Sequence, residues 1–155
     1  MEIPKKNYII VFILFLIVVI LTFIGASFYN NNIKQTSVLY KYIKNINTKE
    51  LDQYIKENPS VVIYIGDKYD LSNYEMEEKL KNKIIDLNLY NNFIYLNKDS
   101  FNEKYINHFN KLYNTNIDIN NIPIIIIYND GYISNIYNNV SLAVLRDINL
   151  GDIKW

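Results

Sequence analysis

An α/β fold built on a mixed sheet, placed behind one membrane-spanning helix, is what the sequence predicts. Three observations lead there. Tyr8 to Tyr29 is a long apolar run without a charged residue. Short apolar runs (Val61 to Ile65, Phe93 to Leu96, Ile124 to Tyr128) alternate with segments whose apolar residues recur at helical spacing. The last of these runs leads through Asn129-Asp130-Gly131 into Tyr132 to Tyr137, the pattern of a β-hairpin.

The N-terminal run would form a helix rising about 33 Å, enough to cross a hydrocarbon core of about 30 Å. Such a helix satisfies every backbone polar group internally, as lipid requires. Lys5 and Lys6 precede it, so residues 1–7 are expected in the cytoplasm, 8–29 in the bilayer and the remainder outside. Tyr8, Phe28 and Tyr29 fall near the two interfaces. A cleaved signal peptide is the competing reading, because Gly25-Ala26-Ser27 offers small residues to a peptidase and would leave a secreted domain. The run exceeds the usual apolar core of a signal peptide, which favours an uncleaved anchor. No cysteine is available for lipidation.

Residues 30–37 read as a polar linker and 38–155 as one domain. Leu39 to Ile43 is expected as a first edge strand, with a juxtamembrane helix as the alternative. Asn47 and Glu50 resemble a capping box for a helix over Thr48 to Glu57, stopped by Asn58-Pro59-Ser60. Val61 to Ile65 reads as a buried central strand. Ser72 with Glu75 would open a second helix, to about Leu89, along which Met76, Leu80, Ile84 and Leu87, with Ile85 beside them, recur at helical spacing. Phe93 to Leu96 follows as a strand, implying a parallel crossover. Ser100 with Glu103 would open a third helix to about Tyr113, and Ser141 to Asn149 a last one, stopped by Gly151.

Composition excludes several chemistries. Sixteen basic and sixteen acidic residues give a formal net charge of zero, and no basic stripe exists for nucleic acid. Without cysteine there is no disulfide, thiolate or common zinc site, and His108 alone cannot form a multi-histidine centre. No cofactor and no metal are expected. The heavy use of Ile, Asn, Lys and Tyr, with Arg146 the one arginine, is the signature of AT-rich codons, and a low-GC bacterium is the expected source. Asp67, Asp70 and Glu75 lie close together, but their spacing is not that of a calcium loop.

The element order, with Ile122-Pro123 entering the first strand of the hairpin, resembles the thioredoxin-like family over Leu39 to Asn149. The resemblance implies a three-layer sandwich, helices on both faces of the mixed sheet, and a cis Ile122-Pro123 bond beside the active site. The family's Cys-x-x-Cys motif would fall on the stretch Gly66 to Asn73, its two cysteines on Tyr69 and Ser72, so dithiol chemistry does not carry over. What remains is a candidate binding groove formed by Lys68, Tyr69, Asp70 and Ser72 with Ile122 and Pro123, in which a helix N-terminus or extended backbone could hold a protein or peptide. The expected function is a non-catalytic protein- or peptide-binding module. The alternatives are an accessory subunit of an envelope thiol-disulfide or secretion system, and a purely structural envelope subunit.

Overall fold

A computed structural model of the chain describes residues 5–34 and 36–150. It contains two units, one ending at Gln35 and one beginning at Thr36. The first is a single helix, α1 (Lys5–Lys34). Its Tyr8–Tyr29 stretch is long and apolar enough to cross a membrane. Thr22 donates its hydroxyl to the carbonyls of Val18 and Val19 at 3.0 and 2.8 Å, which satisfies that hydroxyl within the helix. The helix runs on through Asn30–Asn32, which the sequence assigned to the linker.

The second unit runs α2 (Val38–Tyr42), β1 (Lys44–Ile46), α3 (Thr48–Glu57), β2 (Val61–Gly66), α4 (Tyr74–Asp86), β3 (Phe93–Asn97), α5 (Glu103–Tyr113), β4 (Ile124–Asn129), β5 (Tyr132–Tyr137) and α6 (Leu142–Asp147). The sheet order is β1-β3-β2-β4-β5. β1 and β2 both pair parallel with β3, while β4 pairs antiparallel with β2 and with β5. The mixed sheet and the β2-α4-β3 crossover are therefore as expected.

Alternation along the buried strands builds two cores. Val62, Tyr64, Phe93, Tyr95, Ile125 and Ile127 face one side, against Leu39 of α2, Met76, Leu80 and Ile84 of α4, and Leu145 of α6. Ile63, Ile65, Ile94, Leu96, Ile124 and Ile126 face the other, against Leu51 and Ile55 of α3 and Phe109 of α5. Helices on both faces of one sheet make the three layers.

Several boundaries differ from expectation. Val38–Tyr42 is the helix that stood as the alternative, and the edge strand follows it at Lys44–Ile46. Ser37 caps that helix by accepting a hydrogen bond from the Tyr40 amide. Neither Ser72 nor Ser100 caps a helix. Ser72 gives its amide to Asp70 at 2.8 Å, and α4 starts after Asn73 without a side-chain cap. Ser100 donates to the Asn97 carbonyl at 2.6 Å, and Asn102 caps α5 by accepting from the Tyr105 amide. At α5 an Asx side chain thus takes the capping place expected of serine, while α4 goes without one. Asn47 does cap α3 through the Lys49 amide, but Glu50 reaches its side-chain amide at 2.6 Å rather than its backbone. α4 ends at Asp86, short of Leu89, because Asn88 turns into the left-handed region at φ 55°. α6 ends at Asp147, where Ile148 turns extended, so it stops before the expected Asn149 and without Gly151, which lies outside the described residues.

Asp130 and Gly131, at φ 52° and 83°, turn the β4–β5 hairpin, both central residues left-handed as a tight hairpin demands. The Gly131 amide also reaches the Pro59 carbonyl at 2.8 Å. Gly131→Ala has open space for its methyl, so its cost is conformational, about 1 kcal/mol. Urea unfolding should register that as a lower midpoint with an unchanged slope.

Candidate functional site

The register of β2 on β4 decides what meets at the candidate site. Ile65 lies opposite Ile124, so the C-terminal end of β2 and the loop that follows it stand beside the entry into β4. That entry is the Ile122-Pro123 bond, which is cis as the resemblance implied.

An open depression of about 570 Å³ lies between these segments. Asp67, Asp70, Lys98, Asp99, Phe101, Ile119, Asn120 and Ile122 line it. Of the six residues expected to form a groove, two line it, Asp70 and Ile122. Pro123 is buried, and its carbonyl accepts from the Val140 amide at 2.8 Å. Ser72 is exposed and lines no part of it, its amide donating to Asp70. Tyr69 is 64 % exposed and lines no part of the depression. Lys68 borders a different hollow, with Tyr40, Asn47, Glu50 and Asn97. Its backbone is tied down: the amide donates to Asn97 at 3.1 Å, and the carbonyl accepts from the Ser37 amide at 2.8 Å.

The expected rim is thus divided by the course of the loop. Asp67 accepts from the Tyr69 amide at 2.9 Å, and Asp70 from the Ser72 amide. These two Asx turns direct the carboxylates inward and the intervening side chains outward. Addition of a ligand strand at Pro123 also finds no vacancy. β4 is internal to the sheet, and the Asn121 and Pro123 carbonyls are engaged by Asn139 and Val140.

Lys98 pairs with Asp67 at 2.5 Å across the floor. Burial pushes the Asp67 carboxyl up. The hydrogen bonds from Lys98 and from the Tyr69 amide outweigh it, so the group sits below its ordinary range. Asp67 and Lys98 therefore neutralise one another. Asp70 accepts from the Ser72 amide and the Asn73 side chain, and Asp99 from the Asn97 side chain, so a ligand would meet their remaining lone pairs on one side and Phe101, Ile119 and Ile122 as an apolar wall on the other. Such a surface can take N–H donors along one side and an apolar side chain along the other. Among the described residues no group of His, Cys, Asp or Glu is arranged to hold a metal ion, and His108 is exposed on α5, away from the lining.

Sequence reasoning passed over Glu77. It is 2 % exposed, beneath the candidate loop. One carboxylate oxygen accepts from Tyr64 Oη and Ser37 Oγ, both at 2.8 Å. The other accepts from Ser37 Oγ at 2.7 Å and from the Val38 and Leu39 amides at 2.7 and 3.4 Å. Burial pushes this carboxyl up despite the bonds from Ser37, Tyr64, Leu39 and Val38, and burial beside Glu77 pushes Tyr64 well above its usual range. A signal existed: Glu77, Leu80 and Ile84 share one face at i, i+3, i+7, so an acid occupied a core position. Its role is to fasten α4 to the start of α2.

No family model matches the chain, and no curated protein matches it. Solved structures of similar shape include a chain from work on the thiol resolving mechanism in yeast mitochondrial 1-Cys peroxiredoxin via glutathione/thioredoxin systems. It has 18 % identity over 70 % of this chain and 95 % of that one, with a TM-score of 0.47. A designed protein has 17 % identity over 67 % of this chain and 86 % of that one, with a TM-score of 0.43.

Proposed function

We propose that this chain is a membrane-anchored, redox-inactive thioredoxin-like module, and that it holds an extended segment of a partner protein at the outer face of a bacterial membrane. One observation carries the reading. The loop after β2 and the residue before the cis proline share an open depression, and neither supplies a thiol. Asp70 and Asp99 would accept backbone or side-chain N–H groups of the segment, while Phe101, Ile119 and Ile122 would take an apolar side chain. Chain polarity and the Tyr8–Tyr29 run support the membrane setting.

The test is a photo-crosslinking amino acid at Asn120, on the depression wall, in the full-length chain in its native membrane. A discrete adduct is expected. Adding Ile122→Asp, which sets a charge into the apolar wall, should cut its yield about tenfold. His108→Ala, on an exposed helix face, should leave it unchanged. An adduct indifferent to Ile122→Asp would remove the depression as the binding site. Insulin reduction should stay at background in every case, since the chain has no sulfhydryl to exchange.

A further inference from the structure

The outward side of the same loop carries a face that the depression does not use. Tyr69, Leu71 and Tyr74 are 64, 40 and 38 % exposed within one short segment. Lys68 joins them, its Nζ 4.8 Å from the centre of the Tyr69 ring and 5.9 Å from that of Tyr40. This face borders the point where the chain enters the domain, because the Lys68 carbonyl accepts from the Ser37 amide. Tyr29 ends the apolar run, and residues 30–36 lie between it and Ser37. Seven residues, even fully extended, reach at most about 25 Å. The covalent reach from an inserted span to Ser37, and so to the loop bonded to it, is thus bounded at about 25 Å.

We infer that the Lys68–Tyr74 face rests in the lipid–water interface of the membrane that holds the chain's own span. The inference depends on the anchor reading of Tyr8–Tyr29. Tyrosine presents an apolar ring and a polar tip, and lysine an apolar stem and a charged head, the two shapes favoured at that boundary. Asp67 pairs with Lys98, and Glu75 with Lys79 at 3.1 Å, so of the neighbouring acids Asp70 is left to offset the charge of Lys68. The contact is thus insertion of rings and Leu71, not attraction to anionic headgroups. Other exposed apolar residues serve as contrasts. Leu87 follows the far end of α4, about 20 Å along that helix from Tyr74. Tyr132, 79 % exposed, sits at the opposite end of the sheet, since Tyr128 pairs with Val61.

The natural chain has no cysteine, so single cysteines can be labelled cleanly with an environment-sensitive fluorophore. The full chain would be placed in phosphatidylcholine vesicles, with and without lipids brominated on the acyl chains. Labels on Tyr69→Cys and Leu71→Cys should emit blue-shifted and lose intensity to the brominated lipid. Labels on Tyr132→Cys and Leu87→Cys should emit as in water, and a label on Val18→Cys should be quenched most. A quenched Val18 label beside water-like Tyr69 and Leu71 labels overturns the inference and leaves the anchor intact. An unquenched Val18 label overturns both. A second measurement uses the unlabelled triple variant Tyr69→Ser, Leu71→Ser, Tyr74→Ser. Held below its own thermal midpoint, it should lose the hydrogen-exchange protection that vesicles, relative to detergent, confer on the 68–74 amides. Equal protection in variant and parent overturns the inference.

Discussion

Glu77→Ala is expected to destabilise the domain by about 3 kcal/mol or more, the largest effect of any substitution near the site. Alanine would leave the Ser37 and Tyr64 hydroxyls and the Val38 and Leu39 amides without their acceptor. Each stranded buried donor costs about 1–3 kcal/mol, and water entering the vacated space recovers only part of that. Glu77→Gln keeps the shape and one acceptor oxygen, so it should cost much less. The pair separates loss of the hydrogen-bond hub from loss of charge. Denaturant unfolding of both variants reads the difference. A loss under about 1 kcal/mol for alanine would mean that α2 is fastened by its apolar contacts alone.

The same residue sets a pH dependence with a definite sign. Burial raises the folded-state carboxyl above its ordinary value of 4.5, so the folded protein binds this proton more tightly than the unfolded chain does. The group's contribution is then fully present below about pH 4.5 and is lost as pH rises through the raised folded value. Asp67 behaves oppositely. Its lowered folded value gives stability that is present above its ordinary 3.8 and lost as pH falls through the folded value. Comparing wild type with Glu77→Gln isolates the first effect. The stability lead of the glutamate chain over the glutamine chain should shrink from pH 4.5 toward neutrality. A lead that grows over that interval would place the folded carboxyl below its unfolded value.

The strands of the sheet centre were legible because they are continuous apolar runs flanked by turn residues, and nothing else in the chain competes for such segments. β1 was not. Lys44-Asn45-Ile46 is short and polar, it holds one edge through a single partner strand, and the apolar residues just before it belong to a helix. Helix starts were misplaced where Ser and Asx residues stood together, since both cap and the winner depends on tertiary context. Asn88, Asn114, Asp130 and Asn139 all take left-handed φ. In a chain with four glycines, Asn and Asp occupy turns that glycine would otherwise fill. Of the depression, Asp70 and Ile122 were legible through the resemblance. Asp99, Phe101 and Asn120 were not, because they come from loops separated in sequence and brought together only by strand order.

Gly66 is where sheet, buried polar hub and candidate loop meet, and Gly66→Ala is expected to cost about 1–3 kcal/mol although it adds one methyl. A Cβ at this position would stand 2.7 Å from Tyr64 Cε1 and 2.9 Å from Tyr95 Oη. Neither ring can yield easily: both are fully buried and packed on each other at 5.4 Å, and the Tyr64 hydroxyl is held by Glu77. The strain would pass in two directions, into the Glu77 hub and along the chain into Asp67 and Asp70. The variant should therefore weaken the crosslink proposed for the depression as well as lower the unfolding midpoint. Tyr95→Phe removes the hydroxyl that the methyl meets. The double variant Gly66→Ala, Tyr95→Phe should recover part of the loss, with a coupling of about 0.5 kcal/mol or more in a double-mutant cycle. Strict additivity would mean that the Tyr64 ring, not the Tyr95 hydroxyl, sets the limit. In that case glycine is required here by the side chain two residues before it, and the narrow approach to the loop is fixed within β2 itself.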